Sequence, residues 1–331
     1  MNQPPEEYTR IPHEELRTIV RETALAAGLP EDKSDRLGCM LSANDLRGVF
    51  SHGSRQIATY AGKGYARMMA EGDINPDPNI ETIRESPVSV LVDGDGGLGY
   101  FPADTGTTLA IEKATEHGIA AMATRNHGHF GAAGWYARQA LEQDLIAFVT
   151  SGVQLSMTPG DPIHTAAGGS PMSFCAPTAE EDPLVLDFGT MQDLYVGSPH
   201  REAIEELAPG IVLRSIGLGS VCQAWGGLLT GLSLDEAPAY QEYAGANQGA
   251  FALFCRVDLF ADADRFKRKM DTYVRKARTL EPLDGFDPRL PGGPEAERER
   301  TYRKEGVPVC DEDREELETL AGDLGVAIPW A

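Results

Sequence analysis

Positive charge is scarce in this chain, and so are histidine, tryptophan and paired cysteine. Over 331 residues, 29 lysines and arginines face 51 aspartates and glutamates, for a formal net charge of −22. A surface of that sign repels nucleic-acid phosphates and anionic membranes, so neither is expected as a partner. No apolar run is long enough to cross a bilayer, and the residues from Met1 onward lack a signal-peptide pattern. The cysteines (Cys39, Cys175, Cys222, Cys255, Cys310) are odd in number and scattered, with neither CxxC pairs nor metal-ligand spacing. They read as reduced thiols of a cytoplasmic protein with no bound metal. The rest is ordinary globular composition, 41% hydrophobic and 24% charged, at a length that suits one large domain or two closely packed ones. An anionic ligand would need cations gathered against the overall field. Arg47, Arg55, Arg125 and Arg214 lie near glycine-rich segments and are the candidates.

Apolar periodicity predicts helices over 11–27, 31–43 and 54–71, each closed by glycine or proline signals or leading into a glycine-containing turn. The valine-rich segment 89–93 reads as a strand, followed by a glycine-rich turn and a helix over 102–117. The same order then recurs: a strand over 119–124, a turn over 127–131, a helix over 132–143 and a strand over 145–150. Residues 159–177 are rich in Gly, Pro and small side chains and read as a loop. Further strands are expected at 184–187 and 251–257, and helices at 201–207, 218–229, 262–278 and 311–324. The alternation makes the chain an α/β protein without internal repeats.

Gly94-Asp95-Gly96-Gly97-Leu98-Gly99 fits GxGxxG, after a strand and before a helix. Two physical points oppose a phosphate loop. Asp93 and Asp95 would stand beside a pyrophosphate, and the acidic ribose partner expected about 20 residues on falls near His117, at a helix end. A tight strand-to-helix turn is the better reading.

Chemistry is concentrated at two of the seven histidines, in Ser51-His52-Gly53 and His129-Phe130-Gly131. Imidazole titrates nearest neutral pH and is the usual proton carrier, and the flanking glycines let backbone or ligand come close. The segments around them resemble the malate/L-lactate dehydrogenase-like oxidoreductases, which include sulfolactate, ureidoglycolate and diketogulonate dehydrogenases and piperideine-carboxylate reductases. The resemblance rests on residues 43–53 (ANDLRGVFSHG), Val92-Asp93-Gly94, residues 126–136 (NHGHFGAAGWY), Val185-Leu186-Asp187, residues 227–231, residues 291–295 and Glu305-Gly306-Val307, in that order.

The resemblance implies a non-Rossmann α/β fold, with a helical substrate domain built from both chain ends (1–85 plus 262–331) and a central mixed-sheet cofactor domain (86–261). It implies NAD or NADP as cofactor, a small anionic 2-hydroxy, 2-keto or 2-imino acid as substrate, and a homodimer. By the same carry-over, His52 and His129 are the active-site histidines. Asp187 lies near histidine and cofactor, and Ser51, Arg55, Gln56 and Arg214 are candidates for the substrate. Asp187, Gly189 and Thr190, with the late loop Gly292, Gly293 and Glu295, are candidates for the cofactor.

Four places depart from the family pattern. Gln56 stands where an arginine is usual, with Arg55 one residue earlier. Gly168-Gly169-Ser170-Pro171 replaces Gly-Thr-Asn-Pro, the stretch from Thr190 to Arg214 is short, and Arg214-Ser215-Ile216-Gly217 replaces Lys-Gly-Tyr-Gly. These keep alternatives open: a cofactor-independent lyase or isomerase using the two histidines, a zinc site built on His127, His129 and His52, or a non-catalytic binding protein.

Overall fold

Two long helices dominate the first fifty residues. In the computed structural model, described for residues 4–60, 62–169, 171–195, 197–234, 242–285 and 288–330, a short strand β1 (Thr9–Ile11) leads into α1 (His13–Ala26) and α2 (Glu31–Leu46). Leu16, Ile19 and Val20 of α1 and Leu37, Met40 and Leu41 of α2 are all buried, the spacing of one helical face on each. The helix expected over 54–71 does not form as one piece. Two 3₁₀ turns, Phe50–His52 and Ser54–Ile57, precede the short helix α3 (Tyr65–Ala70). Gly64 breaks the run: its φ is +80°, and a side chain there would collide with the Ala58 carbonyl.

Next come β2 (Glu81–Ser86), β3 (Ser89–Asp93), α4 (Tyr100–His117), β4 (Ile119–His127), α5 (Ala133–Gln139), β5 (Leu145–Val153), β6 (Pro171–Ala176), β7 (Leu184–Gly189), α6 (Arg201–Leu207), α7 (Pro209–Cys222), β8 (Gln248–Arg256) and α8 (Ala263–Ala277). Among the described residues the strands form a seven-stranded sheet in the order β2-β3-β4-β8-β5-β6-β7. Only the β3–β4 pair in it is parallel, joined through α4, so the sheet is mixed. Helix α4 packs closely because its buried face is small: Ala103, Gly106, Ala110 and Ala114, with Gly106 against Val92 and Met122. Strand β6 lies in the segment read as a loop. Its pairing to β5 on one side and β7 on the other supplies order that its Gly- and Pro-rich surroundings conceal, and Pro171 sits at its first position, where a missing N–H is tolerated.

The chain closes with α9 (Gly293–Glu305), strand β9 (Val307–Val309), paired antiparallel to β1, and α10 (Asp311–Leu324). Contacts divide the protein into two units, Met1–Pro78 with Val274–Ala331, and Asn79–Tyr273, the division falling inside α8. The first is helical with its small β1–β9 ribbon, and the second holds the mixed sheet. Among the described residues no single helix is long and apolar enough to cross a membrane; the one apolar pair, Arg201–Leu207 and Pro209–Thr230, is bent by 113°.

Candidate active site

The Ser51-His52-Gly53 turn is held in the first unit by side chains on both sides. Asn44 Nδ2 donates to the His52 carbonyl at 2.9 Å, and Asp45 Oδ2 accepts the Ser54 N–H at 2.8 Å and the Ser54 hydroxyl. Gly53 is required here because the Asp45 carboxylate fills the space a side chain would enter. His52 itself is partly buried, with Nδ1 2.8 Å from Ser51 Oγ. Desolvation lowers its imidazole to about 4, so the ring is neutral at pH 7.

Two expected substrate residues are engaged elsewhere. Gln56 is buried: its amide donates to the Ser51 carbonyl, and its oxygen accepts the Tyr65 hydroxyl at 3.3 Å. Through these bonds it braces the turn. Arg55 lies 3.3 Å from Asp313 of α10. On a 3₁₀ turn, successive side chains diverge by about 120°, which sends Arg55 and Gln56 to different neighbours. Burial raises the Asp313 carboxyl even against the attraction of Arg55.

In the second unit, the glycine-rich turn after β3 folds against the end of β4. The N–H groups of Gly94, Gly96 and Gly99 donate to the carbonyls of Arg125, Asn126 and His129, and the N–H of Gly97 donates to Gly94. They are spent inside the protein and leave no phosphate cradle. Asp93 accepts from Arg125 Nε, Asn126 Nδ2 and the Asp95 N–H. Burial alone would raise its carboxyl, but these three donors outweigh it and hold it below the usual range.

His127 is fully buried. Its Nδ1 lies 2.7 Å from the Gly128 carbonyl and must donate to it, so Nε2 accepts from Thr124 Oγ1 at 2.7 Å; the same hydroxyl oxygen accepts the Ala250 N–H at 3.0 Å. Desolvation holds this imidazole near 4 despite the Gly128 carbonyl and Asp93. Its two nitrogens are occupied, which leaves none for a metal ion. Among the described residues no group of three or more His, Cys, Asp or Glu side chains is placed to hold one.

His129 follows two residues later. Its carbonyl is fixed by the Gly99 N–H, and its ring meets Tyr100 edge-on at 6.3 Å between centroids. Behind it, Phe130 stacks on Tyr136. Asp187 Oδ2 accepts the N–H of Gly134, in the first turn of the helix after His129, at 3.0 Å. It therefore ties β7 to the segment that carries the histidine.

The cofactor candidates fall into two groups. Thr190, after Gly189 at the end of β7, is buried, and its hydroxyl has no hydrogen-bond partner among the described residues. An orphaned buried hydroxyl fits a site that a polar ligand completes. Gly292 has φ +98°, and its N–H donates to Glu295 Oε2 at 3.1 Å, ahead of Gly293, the first residue of α9. That contact caps α9. Arg214 is exposed on α7, and Ser170 lies outside the described residues. Sequence reasoning overlooked Asn44 and Asp45, although two adjacent polar residues near the end of a helix, seven and six residues before Ser51, were a visible signal.

The model for the malate/L-lactate dehydrogenase family matches residues 11–192 and 202–318. Malate dehydrogenase of Pyrococcus horikoshii is 27% identical, over 97% of each chain, and L-sulfolactate dehydrogenase of Methanocaldococcus jannaschii is 27% identical over 91% of this chain and 93% of its own. Ureidoglycolate dehydrogenase (NAD(+)) of Escherichia coli is 23% identical over 92% and 93%. The solved malate dehydrogenase of Pyrococcus horikoshii superposes with a TM-score of 0.83 at 26% identity, covering 98% of both chains. With the fold, the motif order and these full-length matches in agreement, the chain belongs to the malate/L-lactate dehydrogenase family and is a dehydrogenase of the hydroxy-acid type.

Proposed function

We propose that this protein transfers a hydride between NAD or NADP and a small 2-hydroxy or 2-keto (or 2-imino) acid, with histidine handling the accompanying proton. The family match over nearly the whole chain carries this reading. A bound nicotinamide supplies or accepts the hydride; the chain supplies alignment and proton transfer. His52, neutral at pH 7 and linked to Ser51, suits a hydrogen bond to the substrate oxygen or acceptance of its proton. His129, anchored through its carbonyl and beside Tyr100, is the second histidine. Asp187 positions the His129 segment through Gly134, and the Thr190 hydroxyl, without a hydrogen-bond partner among the described residues, and neighbouring Gly189 are assigned to the cofactor, as are Gly292, Gly293 and Glu295 of the late loop.

The free thiols suit a reducing cytoplasm. A homodimer is the reading for the exposed apolar side chains of 207–229, among them Leu207, Ile211, Leu213, Trp225 and Leu229. Sedimentation of wild type and Leu213→Glu checks it, a dimer that the charge dissociates being the expected result.

The function is tested by titrating the protein with NADH and NADPH, following tryptophan quenching, then screening 2-keto acids. Saturable binding of one nucleotide, and turnover lost in His52→Gln and His129→Gln, are expected. Failure of both nucleotides to bind at millimolar concentration would overturn hydride transfer and leave proton-transfer chemistry on the same scaffold.

A further inference from the structure

Three buried polar side chains grip the histidine turn at successive points: Gln56 at the Ser51 carbonyl, Asn44 at the His52 carbonyl and Asp45 at Ser54. Asn44 and Asp45 are only 3% and 5% exposed. Of the three, Asp45 alone can gain or lose a proton, and doing so changes what it can bind. As a carboxylate it only accepts, and Oδ2 takes both the N–H and the hydroxyl of Ser54. As an acid it must place a hydrogen. On Oδ2 that hydrogen can go to the Ser54 hydroxyl only if the hydroxyl turns its own hydrogen away, and the Ser54 N–H is then left on a neutral, weaker acceptor; on Oδ1 it points at the backbone of Gly53, which already lies against that oxygen. Either way the bonds that hold the turn weaken.

The surroundings favour such a change. Asp45 borders a cavity of about 310 Å³ together with Ser51, Ser54, Arg55, Cys310 and Asp313. Arg55 comes from the turn, and Cys310 and Asp313 from the start of α10. Helix α1 contributes only the apolar Leu16, and on α2 itself Arg47 is paired to Glu299. The cation in the cavity, Arg55, has its ion pair with Asp313; it favours the ionised form of Asp45 while the Asp313 charge opposes it, and the hydrogen bonds to the carboxylate come from Ser54. Burial outweighs them and raises its carboxyl to about 7.

We propose that Asp45 is a positioning residue for His52 whose ionisation fixes the Ser51–Ser54 turn and whose protonation loosens it. The proposal rests on His52 being an active-site histidine, but not on which substrate it meets. It makes turnover rise with pH through the neutral range, because the ionised form holds the competent turn.

The test follows the His52 ring by NMR in full-length protein carrying ¹³C-labelled histidine, with His52→Gln assigning the signal. His52 stays neutral above about pH 5, so an inflection near pH 7 in its signal reports a neighbouring group. That inflection is expected in wild type, at higher pH in Ser54→Ala, which removes one bond to the carboxylate, and absent in Asp45→Asn. In parallel, kcat/KM for 2-keto-acid reduction should rise about tenfold from pH 6 to 8 in wild type. In Asp45→Asn it should stay flat at the low value, with the protein still folded across that pH range. A His52 signal flat from pH 5.5 to 8.5 in wild type, or an inflection unaltered in both variants, overturns the proposal. If wild type shows no nicotinamide-dependent turnover, the dehydrogenase reading fails, while the NMR titration still decides the role of Asp45.

Discussion

Nδ1 of His127 stands where a side chain on Gly99 would begin: a Cβ there would lie 2.5 Å from that nitrogen and 2.6 Å from the Gly128 carbonyl. The last glycine of the GxGxxG pattern is thus a packing residue, needed so that α4 can start directly beneath the turn that carries His129. Gly99→Ala should destabilise the protein by about 1–3 kcal/mol through overpacking. Urea unfolding measures the loss, and nicotinamide affinity of the remaining folded protein should not change. Lost nucleotide affinity at unchanged stability would instead restore a phosphate-loop role.

Acid should weaken the protein through its sheltered histidines. His52 and His127 keep neutral rings down to about pH 4, whereas in the unfolded chain each takes up a proton near 6.5. The unfolded state therefore binds more protons between those values, and stability falls as pH drops from about 6.5 towards 4. Asp45 works the other way. Its unfolded carboxyl ionises near 3.8 while the folded one holds its proton to about 7, so its contribution is lost as pH rises across that window. His127→Gln should flatten the slope of stability against pH between 5 and 6.5, and Asp45→Asn should steepen it. Urea unfolding at several pH values distinguishes the two.

Asp271 of α8 should prove a strong determinant of stability. It is 2% exposed, and its Oδ1 accepts the N–H groups of Ala179, Glu180 and Glu181, each at 3.1 Å. Asp271→Ala strands three donors and should cost about 3 kcal/mol, with Asp271→Asn milder because an amide oxygen still accepts. Equal melting temperatures for wild type and the alanine variant would contradict this account.

Arg55 is predicted not to serve as the clamp for a substrate carboxylate, because Asp313 engages it. Arg55→Met should shift KM for a 2-keto acid by less than about threefold, and, for a partly exposed pair, stability by less than about 1 kcal/mol. It should also move the neutral pH limb of kcat/KM upward, since Arg55 favours the ionised form of Asp45. A hundredfold rise in KM would return Arg55 to the substrate.

The sheet strands with strong valine and alanine runs, such as β3 and β4, and the long end helices α1, α2 and α10 are legible in the sequence because local periodicity and burial agree there. The segments that escaped it are those ordered by distant partners. Strand β9 exists through its pairing with β1, nearly three hundred residues away in sequence, and β6 through strands on both of its sides. Around the histidine turn, a helix was expected because its residues are individually compatible with one; positive φ at Gly62 and Gly64 and the braces at Asn44, Asp45 and Gln56 decide otherwise.

The amino-acid order alone was enough to indicate the family, the two histidine motifs and the mixed α/β class, because motif order and apolar periodicity are one-dimensional properties. Which nitrogen of His127 carries its proton, that Arg55 faces Asp313, and that Asp45 stands against Gly53 were decided only in the folded chain. Each depends on desolvation and on contacts between side chains at hydrogen-bond range, and neither is defined until the backbone has closed around them.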